Sequence, residues 1–480
     1  MEPTLGDLPP EEFRRLAREV ADWMATYLEE IDGQRVYPDA LEPGDVRRAL
    51  AGPPPEEPEE MDEILADFRR EVVPGLTHWN HPAFFGFFAI SASGPGILGE
   101  MLAAALNVNA LVWRGSPAAT ELEELTLDWL RAMLGLPEVF DGTINDTAST
   151  STLYALAAAR ERAYPEVGRQ GLFGQPPGRV YASEQAHSSV EKAVMALGLG
   201  RNGYRAVATD DDFRMDPEAL RQAMEEDVAA GIRPMAVVPT LGTTSTTALD
   251  PVDRVVEVAC AYDAWVHVDA AYGGPAALLP ELRSHFQGWE RADSIVVNPH
   301  KWLFTPVDCS VLYCQEPETL VRAFSLVPAY LRTPEGDRVK NLMDYGVALG
   351  RRFRSLKLWF ILRAFGRTGL AARIRHHIHL ARHLAEWIDV EPGWERMAPV
   401  PLGLVVFRYA PEGTDEAERD ELNRALIEAA NASGELFVGP TELGGHVVIR
   451  LSVGNIKTTE EHLSRAWRVL REEAAKLFEG

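Results

Sequence analysis

The sequence predicts an α/β protein in which a large, mostly parallel sheet is covered by helices on both faces. Between about residues 94 and 370, short β-branched runs alternate with longer segments of helical periodicity, which is the pattern of repeated βα units. Beyond about residue 371, a His- and Arg-rich helix is followed by mixed strand-like and helix-like segments. We therefore expect an N-terminal helical segment over 1–93, a large domain over 94–370 and a small α+β domain over 371–480.

Length and composition agree with a globular protein of this kind. At roughly 150 residues per domain, 480 residues suggest about three units or one large domain with appendages. Apolar residues make up 46% of the chain and charged residues 25%, which are the shares of an ordinary folded protein. The 47 basic and 72 acidic side chains give a net charge of −25, which argues against a nucleic-acid partner because clustered Lys and Arg bind phosphate backbones.

The sequence also argues against a membrane location and a secretory route. No apolar run approaches the ~18–20 residues that span a bilayer. The acidic, polar start MEPTLGDLPPEEFRRL lacks a basic n-region and an apolar h-region. Cys260, Cys309 and Cys314 are too few and too unevenly spaced for a disulfide framework. We expect a reducing, cytoplasmic compartment.

The N-terminal segment begins with an amphipathic helix over about 11–31. Its polar face carries Glu and Asp as well as Arg, whereas a membrane-surface helix would be basic there. We expect this helix to pack against another part of the chain or against a second copy. A proline-rich acidic stretch at 52–60 predicts a solvated elbow before a second helix-like run to about Val73.

Strand-like runs mark the two later domains. In the large domain they are RVYAS (179–183), MAVVPT (235–240), AWVHVD (264–269) and SIVV (294–297). In the small domain they are LGLVVFRY (402–409), GELFV (434–438) and HVVIRLSV (446–453), with a helix near 415–432 and a terminal amphipathic helix.

Two motifs that resemble binding signatures are given structural interpretations. GLGRNG (198–203) matches G-x-G-x-x-G, but it follows a helix-like run and precedes a strand-like one, so we interpret it as a helix cap. A histidine cluster lacks the Glu of an H-E-x-x-H zinc frame, and we expect a solvated or interface helix face there rather than a metal site. Its members are His376, His377, His379 and His383.

A hydroxyl-rich segment predicts an anion site. Five of the six residues from Thr147 to Thr152 carry hydroxyl groups, where a strand-like start gives way to an apolar helix. Backbone N–H groups, hydroxyls and the helix dipole at such a start favour a phosphate. Simple N-capping is the alternative, although one Ser or Thr is enough for a cap.

Three further strand ends carry polar side chains that a core would not favour. Asp269, in HVDAAYGG, is either a ligand-facing carboxylate or a helix N-cap. Lys301, in NPHKW, is flanked by apolar residues, so desolvation would lower its pKa and supply a neutral amine, unless the side chain snorkels to the surface. His187 follows another strand in ASEQAHSSVEKA, where a lone histidine is usually structural.

Together these groups are what pyridoxal phosphate requires: a lysine for a Schiff base, a carboxylate for the pyridinium nitrogen and anchors for the phosphate. The motifs around them are THWNHPAFFGFF (77–88), SPAATELE (116–123), DTASTSTLYAL (146–156), AHSSVEKA (186–193), TLGTTSTTALDP (240–251), HVDAAYGG (267–274), NPHKW (298–302) and LGRRFRSLK (349–357). They closely resemble those of the group II pyridoxal-phosphate-dependent decarboxylases, and within them the aromatic-L-amino-acid decarboxylases. The resemblance runs from the N-terminal helical segment to about residue 470.

The resemblance implies a type I pyridoxal-phosphate (aspartate-aminotransferase-like) fold and a homodimer with active sites at the interface. It implies decarboxylation of an aromatic L-amino acid to the arylalkylamine and CO2. Lys301 would hold the cofactor covalently, and Tyr330 of a lid loop or His187 would protonate Cα. The cofactor-binding residues it implies are Thr147, Ala148, Ser149, His187, Thr244, Asp269, Ala271, Asn298, His300 and Lys301.

Substrate-binding residues are implied in the same way. They are Trp79, Phe87, Phe88, Ile90, Asn109, Leu111 and Gly350, with Asn109 and Leu111 expected from the partner subunit. Ile90 cannot hydrogen-bond a ring hydroxyl, and leaving such a hydroxyl unpaired costs ~1–3 kcal/mol. Gly350 matches the small residue of plant tryptophan-specific members. We therefore expect tryptophan and phenylalanine to be favoured over tyrosine and dihydroxyphenylalanine.

An aldehyde synthase of the same family is the nearest alternative, since such members couple decarboxylation to oxidative deamination by O2. In such members the lid tyrosine is Phe, or the histidine that stacks on the cofactor ring is replaced. Here the matching residues, Tyr330 and His187, are both retained. Decarboxylation of another amino acid is a further alternative, although glutamate would need a cationic pocket in place of Phe87 and Ile90. A non-catalytic relative would be expected to lack Lys301.

Overall fold

The computed structural model describes residues 6–38, 41–88, 90–326 and 334–479. Its α-helices are α1 (Pro10–Glu30), α2 (Asp45–Ala49), α3 (Met61–Asp67), α4 (Gly94–Leu106), α5 (Pro117–Leu134), α6 (Ala148–Ala163), α7 (Val167–Gln170), α8 (Ser189–Ala196), α9 (Pro217–Ala229), α10 (Val252–Cys260), α11 (Pro299–Trp302), α12 (Pro317–Phe324), α13 (Ser355–Val390), α14 (Glu416–Ala432) and α15 (Glu460–Glu479). Its strands are β1 (Asp141–Asn145), β2 (Gly178–Ser183), β3 (Tyr204–Val207), β4 (Arg233–Val238), β5 (Trp265–Asp269), β6 (Ser294–Val297), β7 (Ser310–Cys314), β8 (Trp394–Arg396), β9 (Leu404–Tyr409), β10 (Gly439–Leu443) and β11 (His446–Ser452).

The large sheet is mixed but mostly parallel. Its strands lie in the order β1-β7-β6-β5-β4-β2-β3, with parallel pairing from β3 to β6 and antiparallel pairing of β7 with both β6 and β1. The four strand-like runs of the large domain correspond to β2, β4, β5 and β6, which confirms them as strands. Because these strands run in the same direction, their carboxyl ends meet at one edge of the sheet.

Helices cover both faces of this sheet, as the sequence predicts. On one face, residues of α6 and α8 pack with Val180 and Val238. On the other face, residues of α5 and α10 pack with Val237 and Ile295. The neighbouring residues Val237 and Val238 of β4 are both fully buried but lie in different clusters, as side chains that alternate across a strand do.

The C-terminal sheet has the strand order β10-β11-β9-β8 and is antiparallel throughout. The predicted strands at β9 and β11 and the helix at α14 are confirmed. The strand predicted over 434–438 is wrong, because β10 begins only at Gly439. Phe437 instead exchanges backbone hydrogen bonds with Ala83 and Phe85 of the N-terminal segment.

The amphipathic helix predicted over 11–31 is confirmed as α1, and one side of it packs on the same chain. The Tyr27 hydroxyl lies 2.8 Å from Nδ1 of His78, and the Trp23 ring lies 5.2 Å from that of Phe68. On the outer side, Phe13 is 60% exposed. None of the helices in the described ranges has the combination of length and apolar sequence that crossing a bilayer requires.

The two motifs given structural interpretations have different outcomes. Gly198 adopts φ +81° just after α8, which confirms the helix cap. For the histidine cluster on α13, His376 and His379 are exposed, but His377 is buried, so the predicted solvated or interface face is wrong for that residue. Within the described residues, no three His, Cys, Asp or Glu side chains are grouped so that they could hold a metal ion.

Candidate active site

Four sequence-predicted residues lie at the carboxyl edge of the large sheet. Asp269 is the last residue of β5, and Lys301 stands in the short helix α11 directly after β6. His187 follows the end of β2, and Thr244 lies in the loop after β4. The Asp269 carboxylate acts electrostatically on both Lys301 and His187, so an amine, a carboxylate and an imidazole form one cluster.

The amine of Lys301 lies against an aromatic ring inside the fold. Its Nζ is 4.9 Å from the ring centroid of Phe88, which is only 9% exposed. Burial lowers the pKa of Lys301, Asp269 opposes this shift by raising it, and Arg450 lowers it again. The residue is partly exposed, but its amine lies over the Phe88 ring rather than extending freely into water. A lowered pKa makes the neutral, nucleophilic amine available near neutral pH.

The carboxylate of Asp269 is 5% exposed and is fixed by the loop that follows it. Its Oδ1 accepts the N–H of Ala271 at 3.1 Å, and the carbonyl oxygen of Ala271 accepts the N–H of Asn298 at 3.1 Å. The next helical turn begins only at Gly274 and is capped by Gly273, so Asp269 is not a helix N-cap. The carboxylate is therefore available to a ligand at the strand end.

The imidazole of His187 has a defined tautomer. Its Nδ1 accepts the N–H of Ser189 at 3.2 Å and lies 2.8 Å from the Ser189 hydroxyl, so the neutral ring carries its proton on Nε2. Although part of the residue is exposed, burial of the ring lowers its pKa; Asp269 opposes this shift, whereas Lys301 and Lys192 add to it. His187 is consequently neutral at pH 7 and presents an Nε2–H donor.

The hydroxyl-rich helix start divides into an outer and an inner part. Thr147 is the N-cap of α6, but its side chain makes no capping hydrogen bond, and both Thr147 and Ser149 are exposed. Ser151 is buried, and its hydroxyl bonds that of Ser310 at 2.9 Å. Capping therefore does not explain the outer hydroxyls. Together with the N–H groups at Ala148 and Ser149, they suit a phosphate.

Asn298 and His300 lie beside this cluster on the Lys301 turn. Nδ1 of His300 accepts the N–H of Cys309 at 2.9 Å, and its Nε2 lies 3.3 Å from the Asn298 carboxamide. The carboxamide oxygen of Asn298, Oδ1, is buried and has no hydrogen-bond partner among the described residues. A buried polar atom without a partner is expected where a ligand completes the site.

The set of groups fits pyridoxal phosphate. A half-buried amine of lowered pKa suits its aldehyde, a buried carboxylate suits its ring nitrogen, and exposed hydroxyls at a helix start suit its phosphate. The unpartnered carboxamide of Asn298 supplies a further polar contact. Tyr330, the expected lid residue, lies outside the described residues.

The sequence did not identify Arg450 as part of this site. It lies on β11 of the C-terminal sheet, it is buried, and its guanidinium carbon is 5.4 Å from the centroid of the Phe88 ring. It donates hydrogen bonds to the carbonyl oxygens of Phe87 and Thr244. Burial lowers the pKa of Arg450 to about 10. The only sequence signal is an arginine within the apolar run HVVIRLSV.

The expected aromatic pocket residues lie in different environments. The rings of Trp79 and Phe87 stack at 5.2 Å and are 39% and 59% exposed. Phe88 is buried beneath Lys301 and stacks on Tyr272 at 4.0 Å. Ile90 is partly buried. Trp79 and Phe87 are thus the accessible rings, whereas Phe88 supports the reactive amine.

Asn109 and Gly350 lie at the backbone of Arg351, and Leu111 lies beside Met343. Oδ1 of Asn109 accepts the Arg351 N–H at 2.9 Å, and a Cβ on Gly350 would lie 3.9 Å from Nδ2 of Asn109. The carbonyl oxygen of Leu111 accepts the N–H of Met343 at 2.9 Å. Asn109 and Gly350 are exposed on the single chain.

Comparison with known proteins agrees with this geometry. The family model described as "Pyridoxal-dependent decarboxylase conserved domain" matches residues 43–410. The aromatic-L-amino-acid decarboxylase of Catharanthus roseus is 38% identical over 97% of this chain and 95% of that protein. The phenylacetaldehyde synthase of Petunia hybrida is 39% identical over 99% of this chain and 96% of its own length.

A solved structure gives the same result for the fold. The crystal structure of Oryza sativa TDC with PLP and tryptamine superposes with a TM-score of 0.95 and 36% identity, covering 99% of this chain and all of that one. This similarity confirms the predicted type I pyridoxal-phosphate fold and the predicted cofactor.

Proposed function

Because this chain belongs to the pyridoxal-dependent decarboxylase family, a family of carboxy-lyases, we propose that it converts aromatic L-amino acids to arylalkylamines and CO2. The observation that carries the proposal is the cluster of Lys301, Asp269 and His187 at the carboxyl edge of the large sheet. The exposed hydroxyls at the start of α6 supply the accompanying phosphate site.

Pyridoxal phosphate, when bound, supplies a conjugated ring that accepts the electron pair of the bond broken at Cα. Lys301 would bind its aldehyde through Nζ, and the Phe88 ring covers one side of that amine. Asp269 would hold a proton at the ring nitrogen, and the Ala271 N–H fixes the carboxylate. Thr147 and Ser149 would bind the phosphate oxygens.

His187 is one of two candidate donors of the proton that Cα receives after CO2 leaves. The Nδ1 of His187 is directed to Ser189, so the Nε2–H is the group that faces the site. Tyr330 of the lid loop is the other candidate, as the family resemblance implies. Tyr330 would donate its phenolic proton, whereas the neutral His187 ring would first have to take up a second proton, because a neutral imidazole is too weak an acid for this step.

Within this activity, we propose that tryptophan and phenylalanine are preferred to tyrosine and dihydroxyphenylalanine. The accessible rings of Trp79 and Phe87 suit a flat apolar side chain. Ile90 offers no partner for a ring hydroxyl, whose desolvation would cost ~1–3 kcal/mol. Gly350 leaves space beside the Asn109 carboxamide, which an indole N–H could use.

A substrate panel tests the activity and the preference together. Cofactor-loaded protein is incubated with L-tryptophan, L-phenylalanine, L-tyrosine, L-dihydroxyphenylalanine and L-glutamate, and CO2, amine and hydrogen peroxide are quantified in each reaction. We expect equal amounts of amine and CO2, with the first two substrates fastest. Faster turnover of tyrosine would contradict the preference, and turnover of glutamate alone would contradict the activity.

Borohydride trapping tests the site directly. The reduced adduct is expected on Lys301 by peptide mass spectrometry. Lys301→Ala is expected to lose both this adduct and the visible absorbance of the protein-bound cofactor. Lys192→Ala, which changes an exposed lysine near His187, is expected to keep both. An adduct on any other lysine would overturn the assignment.

The similarity to a phenylacetaldehyde synthase makes aldehyde formation the second candidate function. Aldehyde synthases of this family lack either the tyrosine at position 330 or the histidine at position 187. This chain has both Tyr330 and His187. We expect Tyr330→Phe to divert product from amine to aldehyde and peroxide. Peroxide formed by the unaltered protein at the rate of CO2 release would instead make it a synthase.

We further propose that the protein acts as a homodimer. Helix α4 exposes a row of large apolar side chains, each between 39% and 59% exposed, namely Leu98, Met101, Leu102 and Leu106. Contiguous apolar patches of this kind mark protein interfaces. Asn109 and Leu111 follow α4 directly, so a copy seated here would carry them towards a neighbouring site. Sedimentation is expected to show a dimer that Leu102→Glu weakens, whereas a monomer with full activity would contradict the proposal.

A further inference from the structure

His377 connects the Lys301 turn to the C-terminal unit. It lies on α13, it is 1% exposed, and its Nδ1 accepts the indole N–H of Trp302 at 3.0 Å. Trp302, the next residue after Lys301, is fully buried. The backbone of Asn455, in the loop after β11, lies beside the imidazole and raises the pKa of His377, which burial lowers.

The hydrogen bond from Trp302 fixes the tautomer of His377. Since Nδ1 accepts from Trp302, the neutral ring carries its proton on Nε2, beside the Asn455 backbone. The side chain of Asn455 donates to the His81 carbonyl at 3.1 Å and accepts the Lys457 N–H at 2.8 Å. The buried imidazole therefore supplies the acceptor for the Trp302 indole and lies beside a loop that is itself anchored.

A stack of rings leads from Trp302 back to the reactive amine. The Trp302 and Tyr272 rings stack at 4.6 Å, and the Tyr272 and Phe88 rings stack at 4.0 Å. The Nζ of Lys301 lies over the outer member, Phe88. Because Lys301 and Trp302 are covalent neighbours, these contacts form a closed circuit that begins and ends at the Lys301 turn. Among the described residues, His377 is the only residue of α13 whose side chain forms a hydrogen bond with a member of this ring of contacts.

We propose that His377 is a positioning residue for Lys301, because it fixes the Trp302 indole and, through Tyr272 and Phe88, the surface on which the lysine amine lies. The inference rests on the proposed function, in which Lys301 binds the cofactor. It assigns a part in the site to a residue that touches neither the cofactor-binding groups nor the accessible pocket rings.

The hydrogen-bond chemistry predicts which substitutions matter. Leucine at position 377 preserves volume but leaves the buried indole N–H of Trp302 without an acceptor, so the ring must move towards another partner. Glutamine supplies both an acceptor for Trp302 and a donor for Asn455, and is the conservative replacement. Trp302→Phe removes the donor from the other side while keeping a ring in the stack.

The test is a titration of cofactor-free protein with pyridoxal phosphate, followed by the induced circular dichroism of the bound cofactor and by borohydride trapping. For His377→Leu we expect a dissociation constant about tenfold higher, equivalent to about 1.4 kcal/mol, and a reduced dichroism per bound cofactor. His377→Gln should restore both values. His379→Leu, the same change at an exposed position on the same helix, should leave both unaltered.

Each outcome of this experiment is decisive. A His377→Leu protein with a lower melting temperature but an unchanged dissociation constant and dichroism would show a merely structural role and overturn the inference. If His377→Leu does not fold, Trp302→Phe decides, since wild-type binding and dichroism in that variant would also overturn it. An adduct that maps away from Lys301 would instead remove the proposed function itself, so the two failures are distinguishable.

Discussion

The Nζ of Lys301 lies 4.9 Å from the centroid of the Phe88 ring, so the amine proposed to react rests on an aromatic face. Other elements direct charged and titratable groups at the same amine: Asp269 from β5, Arg450 from β11, and His187 and His300 from the neighbouring loop and turn. Asp269 alone among them is acidic. The balance between these groups and the ring sets the proton affinity of the lysine.

Phe88→Leu should lower the pKa of Lys301 further. Leucine keeps the amine desolvated but removes the cation–π contact that stabilises the ammonium form, worth about 0.5–1 kcal/mol or roughly half a pKa unit. The measurement is the pH dependence of Lys301 labelling by an amine-reactive reagent in cofactor-free protein, read by peptide mass spectrometry. Phe88→Tyr keeps an aromatic face and should keep the wild-type profile. A rise in the pKa with Leu would mean that water, and not the ring, controls the amine.

Removing the charge of Arg450 should have the opposite effect on the same profile. Arg450→Met takes away a cation that lowers the pKa of Lys301, so this pKa should rise. It also leaves the Phe87 and Thr244 carbonyls without their donor, at a cost of about 1–3 kcal/mol in the free energy of unfolding.

Arg450→Lys separates these two effects, because it retains the charge but cannot supply the fork of donors. Its labelling profile should stay close to that of the unaltered protein while its unfolding free energy falls. If Arg450→Met leaves the Lys301 profile unchanged, the guanidinium acts only by holding the two loops together.

The sequence predicted Asp269, Lys301 and His187 because each lies at or within four residues of a strand end. Parallel strands align their carboxyl ends, so alternation places such residues at one edge. Thr244, Ala271, Asn298 and His300 followed only from the family resemblance. Arg450 could not be found in this way. It enters from the C-terminal sheet, and its proximity to Phe88 depends on how two parts of the fold pack, which no local pattern encodes.

Two errors have identifiable physical causes. His377 lies on the same face of α13 as Leu370, Ile374 and Ala381, which are all buried. The helical period therefore predicts that His377 is buried, whereas the other histidines of the cluster lie on different faces of the helix. The run at 434–438 has strand-like composition, but Phe437 finds its backbone partners in the distant segment at 83–85 rather than in the C-terminal sheet. Composition predicts that a segment can pair but does not say with what.

Acid should destabilise the protein through buried neutral histidines, of which His267 on β5 gives a direct test. Burial lowers its pKa to about 4, although Asp269 and a Ser294 hydrogen bond oppose the shift. The unfolded chain takes up this proton near pH 6.5, whereas the folded chain does so only near pH 4. The stability that the neutral ring contributes above pH 6.5 is therefore lost as the pH falls through this window, at about 1.4 kcal/mol per pH unit.

His267→Gln removes that proton from the balance. The unfolding free energy in urea, measured between pH 7 and pH 4, should fall by about 1.4 kcal/mol less per pH unit than in the unaltered protein. At pH 7.5 the histidine is neutral in both the folded and the unfolded chain. The difference in unfolding free energy between the two proteins at this pH therefore gives the effect of losing the hydrogen bond to Ser294. Equal slopes in the two proteins would show that His267 takes up its proton at the same pH in the folded and the unfolded chain, which would contradict the lowered pKa.

The two halves of the hydroxyl-rich helix start should separate cofactor binding from stability. Ser149→Ala removes an exposed hydroxyl in the first turn of α6 and should weaken binding of pyridoxal phosphate by about 10- to 100-fold, since a hydrogen bond to a charged group contributes about 1.5–3 kcal/mol. The cofactor-free Ser149→Ala protein should be as stable as the unaltered protein.

Ser151→Ala removes a buried hydroxyl that bonds Ser310, so it should lower the unfolding free energy by about 1 kcal/mol and leave the dissociation constant nearly unaltered. Titration of the cofactor-free proteins by absorbance, together with urea unfolding, gives both quantities. The reverse pattern, with binding lost at Ser151 and stability lost at Ser149, would contradict the assignment of the phosphate to the outer hydroxyls.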